Sequence, residues 1–284
     1  MTHALDAPGA VVAYDVREAE ASTRPTLLLI GSPMDASGFT TLAGHFQDRT
    51  VVTYDPRGTG RSVRTPEAGE STPDLHADDV HRIITALGGG PVDIFASSGG
   101  AINALALVAK HPEQVRLLVA HEPPAAQVLP DRDHALALIK DMRRTYDREG
   151  AGAAMAQFIA ITSHLGELPA DIGELPVANP ADFGMPTEDD GSRDDVLFAQ
   201  NLITCTHYEP DFAALRAAST DVVLAVGVES EGTMAYRGGV AVAERLGTKP
   251  VIFPSHHGGF LGGEFGQEGD PDAFAAALRQ VLDQ

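Results

Sequence analysis

Short apolar segments rich in leucine and β-branched residues alternate along this chain with longer amphipathic segments. The apolar segments are VVAYDVR (11–17), TLLLI (26–30), TVVTY (50–54), VDIFA (92–96), VRLLVA (115–120), DVVLAVG (221–227) and PVIFP (250–254). Amphipathic stretches lie between most of them, at 74–87, 100–111, 233–246 and 271–283. Strands that are buried on both faces have continuous apolar runs of this kind. The chain is therefore predicted to form an α/β fold, with a mostly parallel central sheet and helices on both faces.

The alternation is interrupted between residues 125 and 212, where the pattern predicts helices but no strand. The helix-like segments cover 132–149, 150–164 and 193–206. The stretch between the last two is rich in proline, glycine and acidic residues, so an exposed loop is expected at about 166–190. An insertion of this size between two strands is typical of a cap. The prediction is a core of residues 1–124 and 213–284 with a helical cap, or lid, of residues 125–212.

The charge of the chain is strongly unbalanced, with 40 acidic and 20 basic residues and a formal net charge of −20. Such a surface repels phosphate backbones and anionic lipids, so neither nucleic acid nor membrane is expected as a partner. The single cysteine, Cys205, cannot form an internal disulfide, and the first residues lack the features of a signal peptide. A cytoplasmic location is the expectation. The oligomeric state does not follow from the sequence.

The segment DIFASSGGAINALALVAKHP (93–112) places two serines and two glycines between an apolar run and a helix-forming sequence. In an open α/β sheet, ligands bind beyond the carboxyl ends of the strands. A nucleophile at the apex of a sharp strand-to-helix turn needs small residues two positions to either side, and Ala96 and Gly100 flank Ser98 in this way. Ser98 is therefore the candidate nucleophile. The alternative is that the serines only cap the helix.

Four motifs in this order resemble those of the α/β-hydrolase superfamily, and the resemblance covers nearly the whole chain. LLLIGSPMDASGF (27–39) is similar to the oxyanion loop of the family, and YDPRGTGRS (54–62) is similar to the turn after its fourth strand. The segment around Ser98 resembles the nucleophile elbow, and FPSHHGGF (253–260) resembles the loop that carries the catalytic histidine. The resemblance implies a serine hydrolase, with neither a cofactor nor a metal.

The resemblance also assigns a proton acceptor and two oxyanion donors. A serine hydroxyl is a weak nucleophile at neutral pH and needs a nearby imidazole. His256 and His257 are both available, and the family places its histidine directly before two glycines, where His257 lies. The oxyanion donors implied are the backbone N–H of Gly99 and that of Ser32, with the loop residue Met34 as the alternative to Ser32.

Two carboxylates are candidates for orienting the histidine. Glu122, in VAHEPP, directly follows the strand after the nucleophile helix, and the chain resembles those lactonases and lipases of the superfamily that place their acid there. Glu229, in GVESEG, lies near the position that is commonest in the superfamily. A charged residue that ends a buried strand needs a partner, which favours Glu122. Both candidates stay open, and Glu122 is preferred.

The function predicted from these features is hydrolysis of a small-molecule carboxylic ester or lactone, of the carboxylesterase or lactonase type, through an acyl-enzyme intermediate. The same residues serve C–C bond hydrolysis, lyase and perhydrolase reactions, and a non-catalytic small-molecule binder is a further alternative. The sequence does not identify the substrate. Candidate residues for lining an apolar pocket are Met34, Phe39, Phe158, Phe183 and Met185. Packing within the core or the cap is the alternative for each of them, and it is preferred.

Overall fold

A computed structural model of the chain describes residues 1–20, 22–65, 68–183 and 187–284. Its strands are β1 (Thr2–Ala7), β2 (Ala10–Arg17), β3 (Leu27–Ile30), β4 (Val51–Tyr54), β5 (Val63–Arg64), β6 (Val92–Ser97), β7 (Val115–His121), β8 (Asp221–Gly227) and β9 (Val251–Phe253). Its helices are α1 (Thr40–Gly44), α2 (Pro73–Ala86), α3 (Gly99–Lys110), α4 (Arg132–Ser163), α5 (Leu202–Thr206), α6 (Phe212–Ala217), α7 (Met234–Leu246) and α8 (Pro271–Leu282).

The described strands form one sheet in the order β1-β2-β4-β3-β6-β7-β8-β9, with β5 paired to β2. Every neighbouring pair from β4 to β9 is parallel, whereas β2 pairs antiparallel with β1, β4 and β5. The predicted α/β-hydrolase type of sheet is thereby confirmed. The apolar pattern does not predict β1, because the side chains of THALDA are exposed or half-buried along the whole strand.

Local sequence explains why the central elements form. All four residues of β3 are fully buried, as expected for a strand that helices cover on both faces. Helix α2 begins where the Thr72 hydroxyl accepts a hydrogen bond from the Leu75 N–H, with Pro73 in the first turn. Helix α7 ends at Gly247, whose φ of 77° is the left-handed conformation that terminates many helices.

Two apolar clusters hold the helices against the two faces of the sheet. Ile94 of β6 belongs to the cluster that contains Ile83 of α2 and Leu105 of α3. Its neighbour Phe95 points to the opposite face, in the cluster that contains Leu42 of α1 and Phe274 of α8. The sheet is thus the middle layer of three, and its carboxyl edge stays open for a site.

Strand register brings the ends of β6, β7 and β8 to the same level. Ser97 pairs with His121, and His121 pairs with Ala225. The residues that directly follow β6 and β7, Ser98 and Glu122, therefore leave the sheet side by side.

The described residues between β7 and β8 form helices and turns and contain no strand of the sheet. Helix α4 is broken at Gly150, whose φ of 85° lies at the boundary between the two predicted helix segments. A π-helical turn, Val196–Asn201, leads into α5. Leu138 of α4 and Phe198 of that turn belong to a third apolar cluster. Among the described residues, no helix is both long and apolar enough to cross a bilayer.

The expectation of an exposed loop at about 166–190 is wrong for its first part. Leu168 and Leu175 are buried and belong to the third apolar cluster. The Leu168 N–H also donates to Asp131 Oδ2 at 2.7 Å, which fixes the segment to the start of α4. The acidic and proline-rich composition hid these two apolar contacts.

Candidate active site

Ser98 lies at a sharp turn between β6 and α3. Its φ and ψ are 58° and −129°, a conformation that a residue with a side chain rarely adopts and that costs about 1 to 3 kcal/mol. The Ser98 N–H donates to the His121 carbonyl oxygen at 2.9 Å, so the turn is anchored on β7. Ser98 borders a cavity that is described below. A strained backbone that presents a hydroxyl to a cavity is typical of a nucleophile elbow.

The two glycines after Ser98 are required because the backbone of the loop after β3 passes very close to them. A Cβ on Gly99 would lie 2.6 Å from the Ser32 carbonyl oxygen, and one on Gly100 would lie 2.5 Å from the Ile30 carbonyl oxygen. Since carbonyl oxygens of a buried strand end cannot move away cheaply, side chains are excluded at both positions. The start of α3 can therefore lie directly against the loop that follows β3.

His257 and Glu122 form a hydrogen-bonded pair. His257 Nδ1 lies 2.5 Å from Glu122 Oε2, and the Gly227 N–H donates to Glu122 Oε1 at 2.8 Å. Glu122 is fully buried, whereas the side chain of His257 is 45% exposed. Glu122 also has a positive φ, 47°, which turns its carboxylate toward the end of β8. The hydrogen bond fixes the proton on Nδ1 and leaves Nε2 of His257 as an acceptor.

The charge of Glu122 is stabilised in spite of its burial. Burial alone would raise the pKa of this carboxyl group, because a charge is poorly solvated in the protein interior. Hydrogen bonding to His257, the nearby rings of His121 and His257, and the Gly227 N–H outweigh that effect and lower the pKa of Glu122 to about 2. The group is therefore an anion at neutral pH and holds a permanent negative charge beside the imidazole.

The alternative candidates lie elsewhere. The Glu229 side chain is exposed and makes no hydrogen bond or ion pair to another described residue, and only its N–H is engaged, with the Ser255 carbonyl oxygen. His256 Nδ1 accepts from the Gly258 N–H at 3.0 Å, and its Nε2 lies 3.0 Å from the Glu268 carbonyl oxygen. His256 therefore supports the loop rather than facing Ser98 or Glu122.

The two residues expected to bind an oxyanion, Ser32 and Gly99, approach each other closely. The approach of Gly99 to the Ser32 carbonyl brings the start of α3 against the loop after β3, and both residues line the cavity. Within the described part of the chain, neither the Ser32 N–H nor the Gly99 N–H donates to a backbone carbonyl. Asp55 fixes this loop by accepting a hydrogen bond from the Ala36 N–H at 3.0 Å. The arrangement leaves both N–H groups available to a ligand atom.

A cavity of about 570 Å³ connects these residues. One side is formed by the core, with Ser98 and His257, and the other by the helical segment between β7 and β8. Of the candidate pocket residues, Met34 and Phe158 line the cavity. Phe39 follows the alternative of core packing, because it is fully buried and stacks on Phe260 with a centroid distance of 5.4 Å. Met185 and the side chain of Phe183 lie outside the described part of the structure.

A buried polar pair that was not predicted from the sequence, Ser97 and His121, lies behind the site. Ser97 Oγ lies 3.2 Å from His121 Nδ1, and both residues are buried. Burial lowers the pKa of His121 to about 4, so its ring is neutral at physiological pH. The ring stacks at 6.0 Å from that of His257. A histidine at the last position of a strand has no local pattern that distinguishes it from an exposed one, so only strand register could have revealed this pair.

Comparisons with known proteins give one family match and several related chains. A family model described as alpha/beta hydrolase fold matches residues 13–208. An uncharacterized hydrolase of Bacillus subtilis, YraK, is 30% identical over 265 residues, which cover 90% of this chain and 89% of that protein.

Solved structures with the same architecture include two hydrolases. A thermophilic esterase from Thermogutta terrifontis has a TM-score of 0.68 and 19% identity, with 100% of this chain and 98% of that chain covered. The enol-lactonase from Burkholderia xenovorans has a TM-score of 0.67 and 17% identity, with 99% and 100% covered. At these identities the likeness shows a common fold.

Proposed function

The chain belongs to the α/β-hydrolase family and is a hydrolase, and from this premise we propose that it cleaves a carboxylic ester or a lactone through an acyl-serine intermediate. One observation carries the proposal: a strained serine and a histidine paired to a buried carboxylate line the same cavity. The strain at Ser98 and the burial of Glu122 both cost free energy, and catalysis explains why both are present.

In the first step, Ser98 Oγ attacks the carbonyl carbon of the bound ester while His257 Nε2 accepts the hydroxyl proton. The carbonyl oxygen becomes negatively charged and is held by the N–H groups of Ser32 and Gly99. The position of Gly99 in the first turn of α3 adds the favourable field of the helix N-terminus. When the C–O bond breaks, His257 returns the proton to the leaving alcohol and the acyl group stays on Ser98.

In the second step, water hydrolyses the acyl-serine ester. His257 Nε2 accepts a proton from the water as its oxygen attacks the carbonyl carbon, and then protonates Ser98 Oγ as the acid leaves. In both steps His257 is transiently a cation. Glu122 stabilises this cation and prevents the ring from turning, because its Oε2 accepts the Nδ1 proton while its Oε1 is held by the Gly227 N–H.

The segment 125–212 is proposed to act as a cap over this site. Its α4, its π-helical turn and α5 all contribute apolar side chains to the cavity wall. Removal of water by such a cover strengthens the interactions of the developing oxyanion. The cap side of the cavity is then the part that selects the substrate.

Labelling with a fluorophosphonate probe, followed by intact mass measurement, tests the nucleophile. We expect one adduct on the unaltered protein and none on Ser98→Ala. Ser97→Ala is the matched control, since Ser97 is the adjacent serine and its hydroxyl contacts His121 instead; this variant should still be labelled. A protein that is not labelled, or one labelled after the Ser98→Ala substitution, would contradict the proposal.

Turnover of p-nitrophenyl esters and of a lactone panel tests the reaction class. Hydrolysis of either group with a burst of p-nitrophenol or with trapping of an acyl adduct supports the acyl-serine route. Labelling without any ester or lactone turnover would favour another reaction of the same triad, such as C–C bond hydrolysis.

A further inference from the structure

The cavity wall carries no charged side chain other than His257 among the described residues, in a chain that is one-fifth Asp, Glu, Lys and Arg. We infer that the cavity selects substrates whose acyl chain is uncharged and apolar and that it rejects acyl chains with a carboxylate. This inference rests on the proposed function, because it assigns the substrate class of the same site.

Two polar side chains of the cavity wall, Asn201 and Thr206, are already hydrogen-bonded to protein. The Ser32 hydroxyl and the Gln267 amide also line the wall, and both are uncharged. Asn201 Oδ1 lies 3.0 Å from His76 Nε2, and Asn201 Nδ2 donates to the Val196 carbonyl oxygen at 3.0 Å. Thr206 Oγ1 donates to the Leu202 carbonyl oxygen at 2.6 Å. These groups do not form a fork of donors for a carboxylate, which an arginine would otherwise supply.

The remaining titratable group of the wall, Cys205, is uncharged. Its thiol is fully buried, and burial raises its pKa to about 12. The cavity therefore holds one group that can be a cation, His257, and that group is already paired with Glu122. A substrate carboxylate in the cavity would therefore have no counter-charge of its own.

Methionines make the apolar wall adaptable. Four of the five methionines in the described part of the chain line this one cavity: Met34, Met142, Met155 and Met234. Unbranched thioether side chains fill irregular gaps and change rotamer at low cost. The wall should therefore accept flexible alkyl chains of several lengths rather than one rigid shape, up to the limit set by about 570 Å³.

The chain-length dependence of kcat/KM measures the apolar part of this inference. Across p-nitrophenyl acetate, butanoate and hexanoate, kcat/KM should rise about fourfold for each added methylene, which corresponds to about 0.8 kcal/mol. A flat or falling series would overturn the inference.

One pair of esters measures the effect of charge at constant length. p-Nitrophenyl hexanoate and mono-p-nitrophenyl adipate have the same six-carbon chain and differ by a terminal methyl group or carboxylate. Because an unpaired buried charge is costly, kcat/KM for the adipate ester should be at least about 100-fold lower. Equal values for the two esters would overturn the inference.

A new cation in the wall should reverse part of this selectivity. Met155 is half-buried on α4, so a lysine there can reach the cavity without complete burial. Met155→Lys should raise the adipate-to-hexanoate ratio of kcat/KM at least about tenfold. Met155→Gln, the matched uncharged control, should leave that ratio within about threefold. A ratio that rises equally in both variants would contradict an electrostatic origin.

Binding to the Ser98→Ala variant separates this inference from the proposed function. Calorimetry with the same two esters needs no catalysis, and the hexanoate ester should bind at least about tenfold more tightly. Tighter binding of the hexanoate ester, together with no turnover by the unaltered protein, would contradict the proposed function and support the inference. Turnover together with equal binding, or no binding of the hexanoate ester, would retain the function and overturn the inference.

Discussion

Glu122 Oε2 lies 2.5 Å from His257 Nδ1, although 135 positions separate the two residues in the sequence. The contact depends on three places at the carboxyl edge of the sheet. Glu122 follows β7, Gly227 holds its second oxygen at the end of β8, and His257 extends from the loop after β9. A displacement of any of these strand ends is therefore expected to change the position of the His257 imidazole.

Replacement of Glu122 by glutamine tests the role of this carboxylate. Glu122→Gln keeps the size of the side chain but removes the charge that stabilises the imidazolium, so kcat should fall by about 10² to 10⁴. Glu229→Gln is the control, because the Glu229 side chain is exposed, and it should cost less than about tenfold. Steady-state hydrolysis of one p-nitrophenyl ester measures both. The opposite order of the two losses would reassign the acid.

The two adjacent histidines should differ strongly in their effect on activity. His257→Ala removes the proposed proton acceptor and should lower kcat by three or more orders of magnitude, with little change in the melting temperature. His256→Ala removes contacts within the loop and should retain activity within about tenfold. If His256→Ala has the larger effect on kcat, then His256 and not His257 is the base.

A methyl group on Gly100 should disturb the nucleophile turn. Gly100→Ala would place Cβ 2.5 Å from the Ile30 carbonyl oxygen, so α3 must shift away from β3. We expect a loss of at least about 100-fold in kcat/KM, since small displacements of a nucleophile have effects of this size. Gly44→Ala meets no atom within 4 Å and should change stability by less than about 1 kcal/mol. Normal activity of Gly100→Ala would show that the turn tolerates the shift.

Stability should decrease as the pH falls from about 6.5 toward 4. Burial lowers the pKa of His121 to about 4, against 6.5 in the unfolded chain. In this window the unfolded chain binds a proton that the folded chain does not, so folding stability falls by up to about 1.4 kcal/mol per pH unit for this histidine. Above pH 6.5 the effect of His121 is absent.

His121→Phe should reduce this pH slope by about one proton, as read from urea unfolding at several pH values. Phe253→Leu is the matched control, because it alters the same aromatic cluster without removing a titratable group. Its slope should equal that of the unaltered protein. An unchanged slope in His121→Phe would mean that this histidine is protonated in the folded state.

Leu168→Ala should destabilise the chain by about 2 to 4 kcal/mol, because it leaves a cavity in the third apolar cluster. Leu165→Ala changes the same residue type three positions earlier, where the side chain is 65% exposed, and should cost less than about 0.5 kcal/mol. Thermal unfolding of the two variants measures the difference. Equal melting temperatures would restore the original interpretation of this stretch as an exposed loop.

The central strands could be predicted because a strand that is buried on both faces has a continuous apolar sequence. Leu27–Ile30 is apolar at every position, and the break at Gly150 coincides with the boundary of two amphipathic segments. Strand β1 has no such apolar pattern because none of its side chains is buried. Leu168 was missed for the opposite reason: its burial depends on contacts with α4, and its sequence neighbours are polar or loop-forming.

Some residues of the candidate site could likewise be predicted from local sequence, whereas others depend on the tertiary structure. Ser98 and His257 lie within short glycine-containing motifs, so the sequence was sufficient to select them as candidates. The choice between Glu122 and Glu229 depends on which carboxylate reaches the imidazole, and that follows from a positive φ and from the Gly227 N–H, which no local pattern shows. The catalytic roles of Ser98, His257 and Glu122 are predictions that the experiments above test.

The methionine side chains that line the cavity have a consequence under oxidative conditions. Peroxide converts a thioether to a sulfoxide, which is polar and chiral, and reductases can reverse the change. Oxidation of Met155, which is half-buried, would therefore alter the choice of ester while the fold persists. We expect the hexanoate-to-acetate ratio of kcat/KM to fall as intact mass records added oxygen, and to recover after enzymatic reduction; a ratio independent of oxygen content would refute this.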